Sequence, residues 1–346
     1  VILTQRILLI KLSALGDIVH ALPVLHLLKS AGLEIDWFSY QGFSPLLEGQ
    51  PLSKLITLKD RSLTTLIRAT QELRARNYDM VIDLQGTIKT ATLAKLTGAP
   101  VLGFAQPREA AATLLYDHTV DTGVWYSNAQ HIIEANLKLG REAITKLGLE
   151  LPKAVPLKYG LVANEPSERH SALEKQLKVK EICVLPATTW QSKLWPTEYW
   201  VELLLSLQRK SKANIHIVCT KHDDPIVQPL LAQLKESCVP VILHQDFKLQ
   251  QLPSFFRSMD LIVGVDTGPL HIAAATIDPS STYILGIYGP TSPKRTGPYG
   301  FAAVSAEELF EHKPLNKRHL SEDASMRTVL PELVLSRLSG VTAAIL

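Results

Sequence analysis

Cysteine is scarce: Cys183, Cys219 and Cys238 are the only three in 346 residues. They are too few and too scattered for a disulfide framework or a CxxC zinc site, and they fit a reducing cytoplasm. Long apolar runs are missing too; none approaches the roughly 18 residues that a membrane-spanning helix needs. The start of the chain, Val1–Leu3 followed by Gln5 and Arg6, lacks the basic segment, long apolar core and cleavage site of a signal peptide. The net charge of +3 and a pI near 8.6 are too mild to argue for nucleic acid. The dinucleotide fingerprint GxGxxG, the serine-hydrolase GxSxG and the metal spacings HxH and HExxH are all absent. What is there is globular: 46% apolar and 20% charged residues, at a length for which two domains is the natural division.

Short apolar runs alternate with helical patterns from end to end. Strands are expected at Arg6–Lys11, Ile35–Tyr40, Lys54–Leu58, Asp79–Leu84 and Val101–Phe104. Helices are expected from about Asp17 to Ser30 and near 62–77, 88–97 and 128–147. From Leu151 to Glu168 the prolines Pro152, Pro156 and Pro166, with Gly160 and Asn164, break all periodicity. The alternation then restarts, with strands at Glu181–Leu185, Asn214–Cys219, Val239–His244, Leu261–Val265 and Tyr283–Tyr288. Helices follow near 197–210, 224–236, 249–258 and 268–276; 305–327 reads as polar and irregular, and Pro331–Leu338 as a last helix. The expectation is an α/β protein of two Rossmann-like, doubly wound domains facing across a cleft. The first domain takes 1–155, the linker 156–168 and the second domain 169–346, with the last helix a candidate to pack back on the first domain.

Four segments carry chemistry. In Lys11-Leu-Ser-Ala-Leu-Gly-Asp17-Ile-Val-His20 a strand runs into a helix, at the carboxyl edge where open α/β sheets bind ligands. Asp17 there is either a carboxylate aimed at a ligand or a helix cap. Thr188-Thr189-Trp-Gln-Ser-Lys193-Leu-Trp195-Pro196 follows the first strand of the second domain. Its hydroxyls and lysine suit an anion, and the plain alternative is a surface loop with Trp195 in the core. Asp260-Leu-Ile-Val-Gly264-Val-Asp266-Thr267-Gly268-Pro269-Leu-His271 runs a strand into a helix start, a natural site for a diphosphate. The alternative is a capped turn with His271 packed at the surface. Tyr288-Gly289-Pro290-Thr291-Ser-Pro293-Lys-Arg295 leaves another strand end with hydroxyl and basic groups, or is simply a turn cluster. The pair Asp223-Asp224 reads as helix caps ahead of Pro225 rather than as a metal site. Together the last three segments describe a nucleotide-diphosphate site in the second domain, with Asp17 opposite it.

In combination these segments resemble the ADP-heptose:lipopolysaccharide heptosyltransferases, and within them the type I enzymes, over roughly residues 5–303. The resemblance rests on Ser13-Ala-Leu-Gly-Asp17-Ile-Val-His20-Ala-Leu-Pro23, Asp83-Leu-Gln85-Gly86-Thr-Ile-Lys89, Thr188-Thr189 with Lys193-Leu-Trp195-Pro196, Asp266-Thr-Gly268-Pro-Leu-His271 and Gly289-Pro-Thr-Ser-Pro. It implies a GT-B fold and an inverting, metal-independent glycosyltransferase that needs no cofactor. ADP-heptose would be the donor, held by Thr188, Thr189, Lys193, Asp266, Thr267, Gly268 and His271. The acceptor would be a lipid A-linked Kdo sugar, contacted by Ser13, Gln85, Lys89 and Arg108. Asp17 would be the general base, with Lys193 offsetting the leaving-group charge. The implied location is the cytoplasm, peripheral on the inner face of the cytoplasmic membrane; residues 51–109 carry nine Lys/Arg against five Asp/Glu. The residues leave three alternatives open: transfer to a type II acceptor or from another sugar nucleotide, a non-catalytic sugar-nucleotide binder, and an epimerase or NAD-dependent oxidoreductase. The missing glycine fingerprint weighs against the last.

Overall fold

The apolar runs become parallel strands covered on both faces, which is why they read as near-continuous hydrophobic stretches rather than as alternating ones. The structure is a computed structural model that describes residues 4–60, 62–125, 127–153, 157–161, 180–306 and 324–345. The chain divides into two compact units, Val1–Gly160 and Leu161–Leu346. Most of the expected linker, 156 and 162–168, lies outside the described residues, as does 307–323 of the expected irregular stretch.

The first unit has strands β1 (Arg6–Ile10), β2 (Glu34–Tyr40), β3 (Lys54–Leu58), β4 (Met80–Asp83), β5 (Val101–Phe104) and β6 (His118–Val120). Its helices are α1 (Leu15–Ser30), α2 (Ser44–Leu47), α3 (Leu63–Arg74), α4 (Ile88–Leu96) and α5 (Ile132–Lys146). The sheet order is β3-β2-β1-β4-β5-β6, parallel throughout. Helix α1 is buried over most of its girth, including Ile18, Val19, Ala21, Leu22, Leu25 and Leu28, because α5 covers the side that the sheet does not. Each such aliphatic side chain is worth about 1.5–3 kcal/mol when fully buried. Gly140 of α5 makes this contact close: a Cβ there would lie 3.1 Å from both Val24 and Leu27.

The second unit repeats the winding. Strands β7 (Glu181–Leu185), β8 (Asn214–Val218), β9 (Ile242–His244), β10 (Leu261–Val265), β11 (Tyr283–Tyr288) and β12 (Ala302–Ser305) lie in the order β12-β11-β10-β7-β8-β9, again all parallel. The helices are α6 (Thr197–Ser211), α7 (Asp224–Glu236), α8 (Leu252–Phe256), α9 (Gly268–Thr276), α10 (Pro293–Thr296), α11 (Ala324–Thr328) and α12 (Pro331–Ile345). The last helix packs within its own unit, against α6 and β12. Trp195 is core: its ring stands edge-on to Trp200 at 5.0 Å, and its indole N–H donates to the Val329 carbonyl at 2.7 Å. No described helix is long and apolar enough to cross a membrane.

Each sheet has one more strand than the apolar runs announce. The additions, β6 and β12, are short edge strands whose residues are mostly half-exposed, so they carry no continuous hydrophobic signal. Helix α1 begins at Leu15, two residues before the expected start. In both sheets the winding reverses at the centre, between β1 and β4 and between β7 and β10. There the loops leave the carboxyl edge to opposite sides and open a crevice. Three of the four segments singled out for chemistry leave β1, β7 and β10 at these points, and the fourth leaves β11, next to β10.

Candidate active site

In the second unit, three loops are tied together around one carboxylate. Asp266 directly follows β10 and is buried. Its Oδ2 lies 2.5 Å from the Lys193 ammonium and accepts from the Thr291 hydroxyl at 2.7 Å. Its Oδ1 is 3.2 Å from His271 Nε2, and its backbone carbonyl accepts from the Thr188 hydroxyl at 3.2 Å. Burial alone would raise the Asp266 pKa. The adjacent Lys193 charge and the His271 hydrogen bond outweigh it and hold the carboxyl well below the usual carboxylate range. Lys193 also stands 4.6 Å from the centre of the Trp190 ring. The fixed Trp195 anchors the loop that carries it.

Helix α9 starts at this cluster. Thr267 is its N-cap residue, yet the Thr267 side chain does not cap the helix. A helix N-terminus without a side-chain cap keeps backbone N–H groups and a partial positive charge for an anion. Lys193, the hydroxyls of Thr188 and Thr267 and this helix start therefore sit at one strand edge, joined through Asp266. His271 is buried and bonded to that carboxylate, not packed at the surface. Thr291 and Trp190 lie within the quoted segments; Thr291 reaches Asp266 because β11 lies beside β10, and Trp190 meets Lys193 within their own loop.

In the first unit, Asp17 is the third residue of α1, and the N-cap is Ala14. The Asp17 carboxylate reaches back, with Oδ2 accepting the Ala14 N–H at 3.2 Å. Its Oδ1 has no hydrogen bond among the described residues. Gln85, beyond β4, is buried, and its Oε1 accepts from the N–H groups of Leu12 at 3.1 Å and Ser13 at 3.3 Å. Gln85 thus braces the turn that leads to Asp17. Gln85 is in turn held by Asp83. That fully buried carboxylate accepts from the backbone of Gln85 (2.9 Å) and Gly86 (3.3 Å), and from the hydroxyls of Thr90 (2.9 Å) and Tyr116 (2.8 Å). Burial raises its pKa despite these donors. With four donors and no exposure, Asp83 is a lock under the turn and not a second candidate base.

Lys89, in the first turn of α4, donates to the Tyr40 hydroxyl at 2.9 Å. Arg108 borders Gly86, where a Cβ would come within 3.1 Å of the Arg108 backbone nitrogen. Gly86 has a φ of +70°, so glycine is needed there twice over. Ser13, Asp17, Gln85 and Arg108 thus gather at the β1/β4 crevice, while Lys89 stands beside the end of β2. Elsewhere, Asp223 folds back on Thr220 as a local cap does, while Asp224 accepts from Gln245, 21 residues further along the chain. Among the described residues no group of three His, Cys, Asp or Glu side chains is arranged to hold a metal.

Two parallel six-stranded sheets of identical winding are the architecture of the GT-B glycosyltransferases. The chain belongs to glycosyltransferase family 9, the heptosyltransferases, whose family model matches residues 66–324. It is 29% identical over 330 residues to lipopolysaccharide heptosyltransferase 1 of Pseudomonas aeruginosa, covering 91% of this chain and 87% of that one. With lipopolysaccharide heptosyltransferase 1 of Escherichia coli K12 it shares 28% identity over 316 residues, 86% of this chain and 91% of the other. In structure it resembles the E. coli heptosyltransferase WaaC with ADP, at a TM-score of 0.71 and 24% identity over 97% of this chain and 99% of that one. The E. coli ADP-heptose lipopolysaccharide heptosyltransferase II follows at a TM-score of 0.69 and 20% identity, over 97% and 98%.

Proposed function

We propose that this glycosyltransferase moves a heptose from ADP-heptose to a hydroxyl of the Kdo sugar on a lipid A-type acceptor, with inversion and without a metal. In this reading residues 169–346 hold the donor and residues 1–155 the acceptor. The observation that carries it is the ion pair Lys193–Asp266 at the uncapped start of α9. The donor diphosphate shares Lys193 with Asp266, and Asp266 keeps His271 and Thr291 when that happens. Thr188, Thr189, Thr267 and Gly268 complete the oxygen contacts.

The acceptor hydroxyl bonds to the open Oδ1 of Asp17 and gives it the proton as its oxygen attacks the anomeric carbon. The bond from that carbon to the diphosphate breaks with its electron pair, and the leaving charge meets Lys193 and the α9 N–H groups. Attack opposite the leaving group inverts the configuration. Ser13, Lys89 and Arg108 hold the acceptor, while Gln85 keeps the Asp17 turn in register. The enzyme works in the cytoplasm, at the inner face of the membrane that holds its acceptor. The basic excess in residues 51–109 makes that association salt-sensitive.

Mass spectrometry of reactions between ADP-heptose and a panel of Kdo-bearing and heptose-bearing lipid A acceptors tests this. One added heptose on the Kdo acceptor is expected. Transfer only to an acceptor that already carries heptose, or release of free heptose alone, overturns the acceptor assignment.

A further inference from the structure

Helices α3 and α4 enclose a groove of about 450 Å³ on the first unit. One wall is Leu66, Ile67 and Thr70 of α3, and the other is Lys89, Leu93 and Leu96 of α4. Both sets recur at helical spacing, so each helix turns one stripe toward the groove. Thr70, Gln71, Lys89 and Thr92 also stand in these walls, but the surface they leave inside the groove is almost wholly apolar, and water reaches it: Ile67 is 48% exposed and Leu96 50%. Two more large apolar side chains on these adjoining elements face water. Ile88 of α4 is 46% exposed, and Leu114, on the 3-10 turn packed against α4, is 87% exposed. Isolated exposed aliphatics need no explanation, but two isoleucines and two leucines on three adjoining elements are more than scatter.

Charge says what kind of surface. The two helices carry Arg68, Arg74, Lys89 and Lys95 against the single carboxylate Glu72. Glu72 is itself paired with Lys54, and Lys95 with Asp117. A second copy of this chain fits poorly, because a two-fold contact would face this basic rim with itself. An apolar strip edged with cations matches instead the interface of an anionic bilayer, where apolar side chains enter among acyl chains and cations meet phosphates.

The geometry points to the α3–α4 groove as the membrane-docking face of this enzyme, occupied by acyl chains of an anionic bilayer. This rests on the reading that the acceptor is membrane-borne, and goes beyond it by naming the surface. Lys89 connects the two: it lines the groove and bonds Tyr40, beside the carboxyl end of β2. A sugar carried on a lipid seated in the groove therefore starts next to the acceptor side of the sheet.

The test compares the parent protein with the double variant Ile67→Gln/Leu96→Gln, whose changes are at exposed positions. Both are co-sedimented at low salt with phosphatidylglycerol–phosphatidylethanolamine vesicles. Both are also assayed for transfer to a soluble, deacylated Kdo acceptor. The parent is expected to sediment with the vesicles and the variant to bind at least about tenfold more weakly, with equal transfer to the soluble acceptor. Equal vesicle binding by parent and variant overturns the proposal, as does failure of the parent to bind. Sedimentation velocity showing a parent dimer that the variant abolishes assigns the face to a second copy and also overturns it. Absence of transfer by the parent to the soluble acceptor strikes the functional reading alone, since vesicle binding is measured without it.

Discussion

Replacing Asp17 by Asn separates the brace its carboxylate gives the turn from the proton acceptance that the proposed mechanism assigns to it. In the structure Oδ2 accepts the Ala14 N–H at 3.2 Å, and Oδ1 faces no partner among the described residues. An Asn side-chain oxygen can accept the same N–H, so the tie across the first turn of α1 survives. The loss to stability is then mainly the favourable charge at a helix N-terminus, about 0.3–1 kcal/mol at a partly exposed site. For units of this size that corresponds to about 1–4 °C in melting temperature. Proton acceptance, by contrast, disappears. General-base catalysis contributes about 10²–10⁴-fold, or about 3–5 kcal/mol of barrier. The assay is single-turnover transfer at saturating ADP-heptose and acceptor, with ADP affinity measured by calorimetry and melting followed alongside. The expected result is near-parental melting and ADP binding with transfer slowed at least about a hundredfold. Transfer within about threefold of the parent rate is too small a loss for a missing base. It would show that Asp17 only braces its turn. Asp83 could not take over, because its oxygens are already filled by four donors.

Lys193→Ala is expected to weaken ADP binding by about 10- to 100-fold, the range of a lost charge-assisted hydrogen bond, without unfolding the protein; unchanged affinity and turnover in calorimetry and kinetics would remove its donor role. Asp266 ionises more readily folded than unfolded, so its contribution to stability is fully present above its unfolded value near pH 4 and is lost as the pH falls further. The melting-temperature gap between the parent and Asp266→Asn is therefore expected to narrow between about pH 4 and pH 2; a gap that stays constant there contradicts the ion-pair account. Turnover is expected to survive dialysis against EDTA, because in the proposed mechanism Lys193 and the α9 start offset the leaving charge; a complete loss restored by a divalent cation would refute this.

Local chemistry alone determined much of this protein. The central strands are legible because both their faces are buried, which leaves runs such as Ile7–Ile10 and Leu261–Val265 with no polar interruption. The strand-to-helix switches at Asp17 and Asp266 are legible because a glycine beside a carboxylate or hydroxyl marks the turn from strand to helix. Edge strands β6 and β12 were not legible, since half-exposed residues carry no hydrophobic period. Nor were the partners. That Thr291 reaches Asp266 depends on β11 pairing with β10, and that Gln85 holds Ser13 depends on β4 pairing with β1, 72 residues away in the chain. Such contacts are set by strand order, which no local pattern encodes. The same holds for the groove between α3 and α4. Ile67 and Leu96 look like ordinary core positions on two helices, and only the packing of those helices leaves them about half exposed beside the buried Leu93.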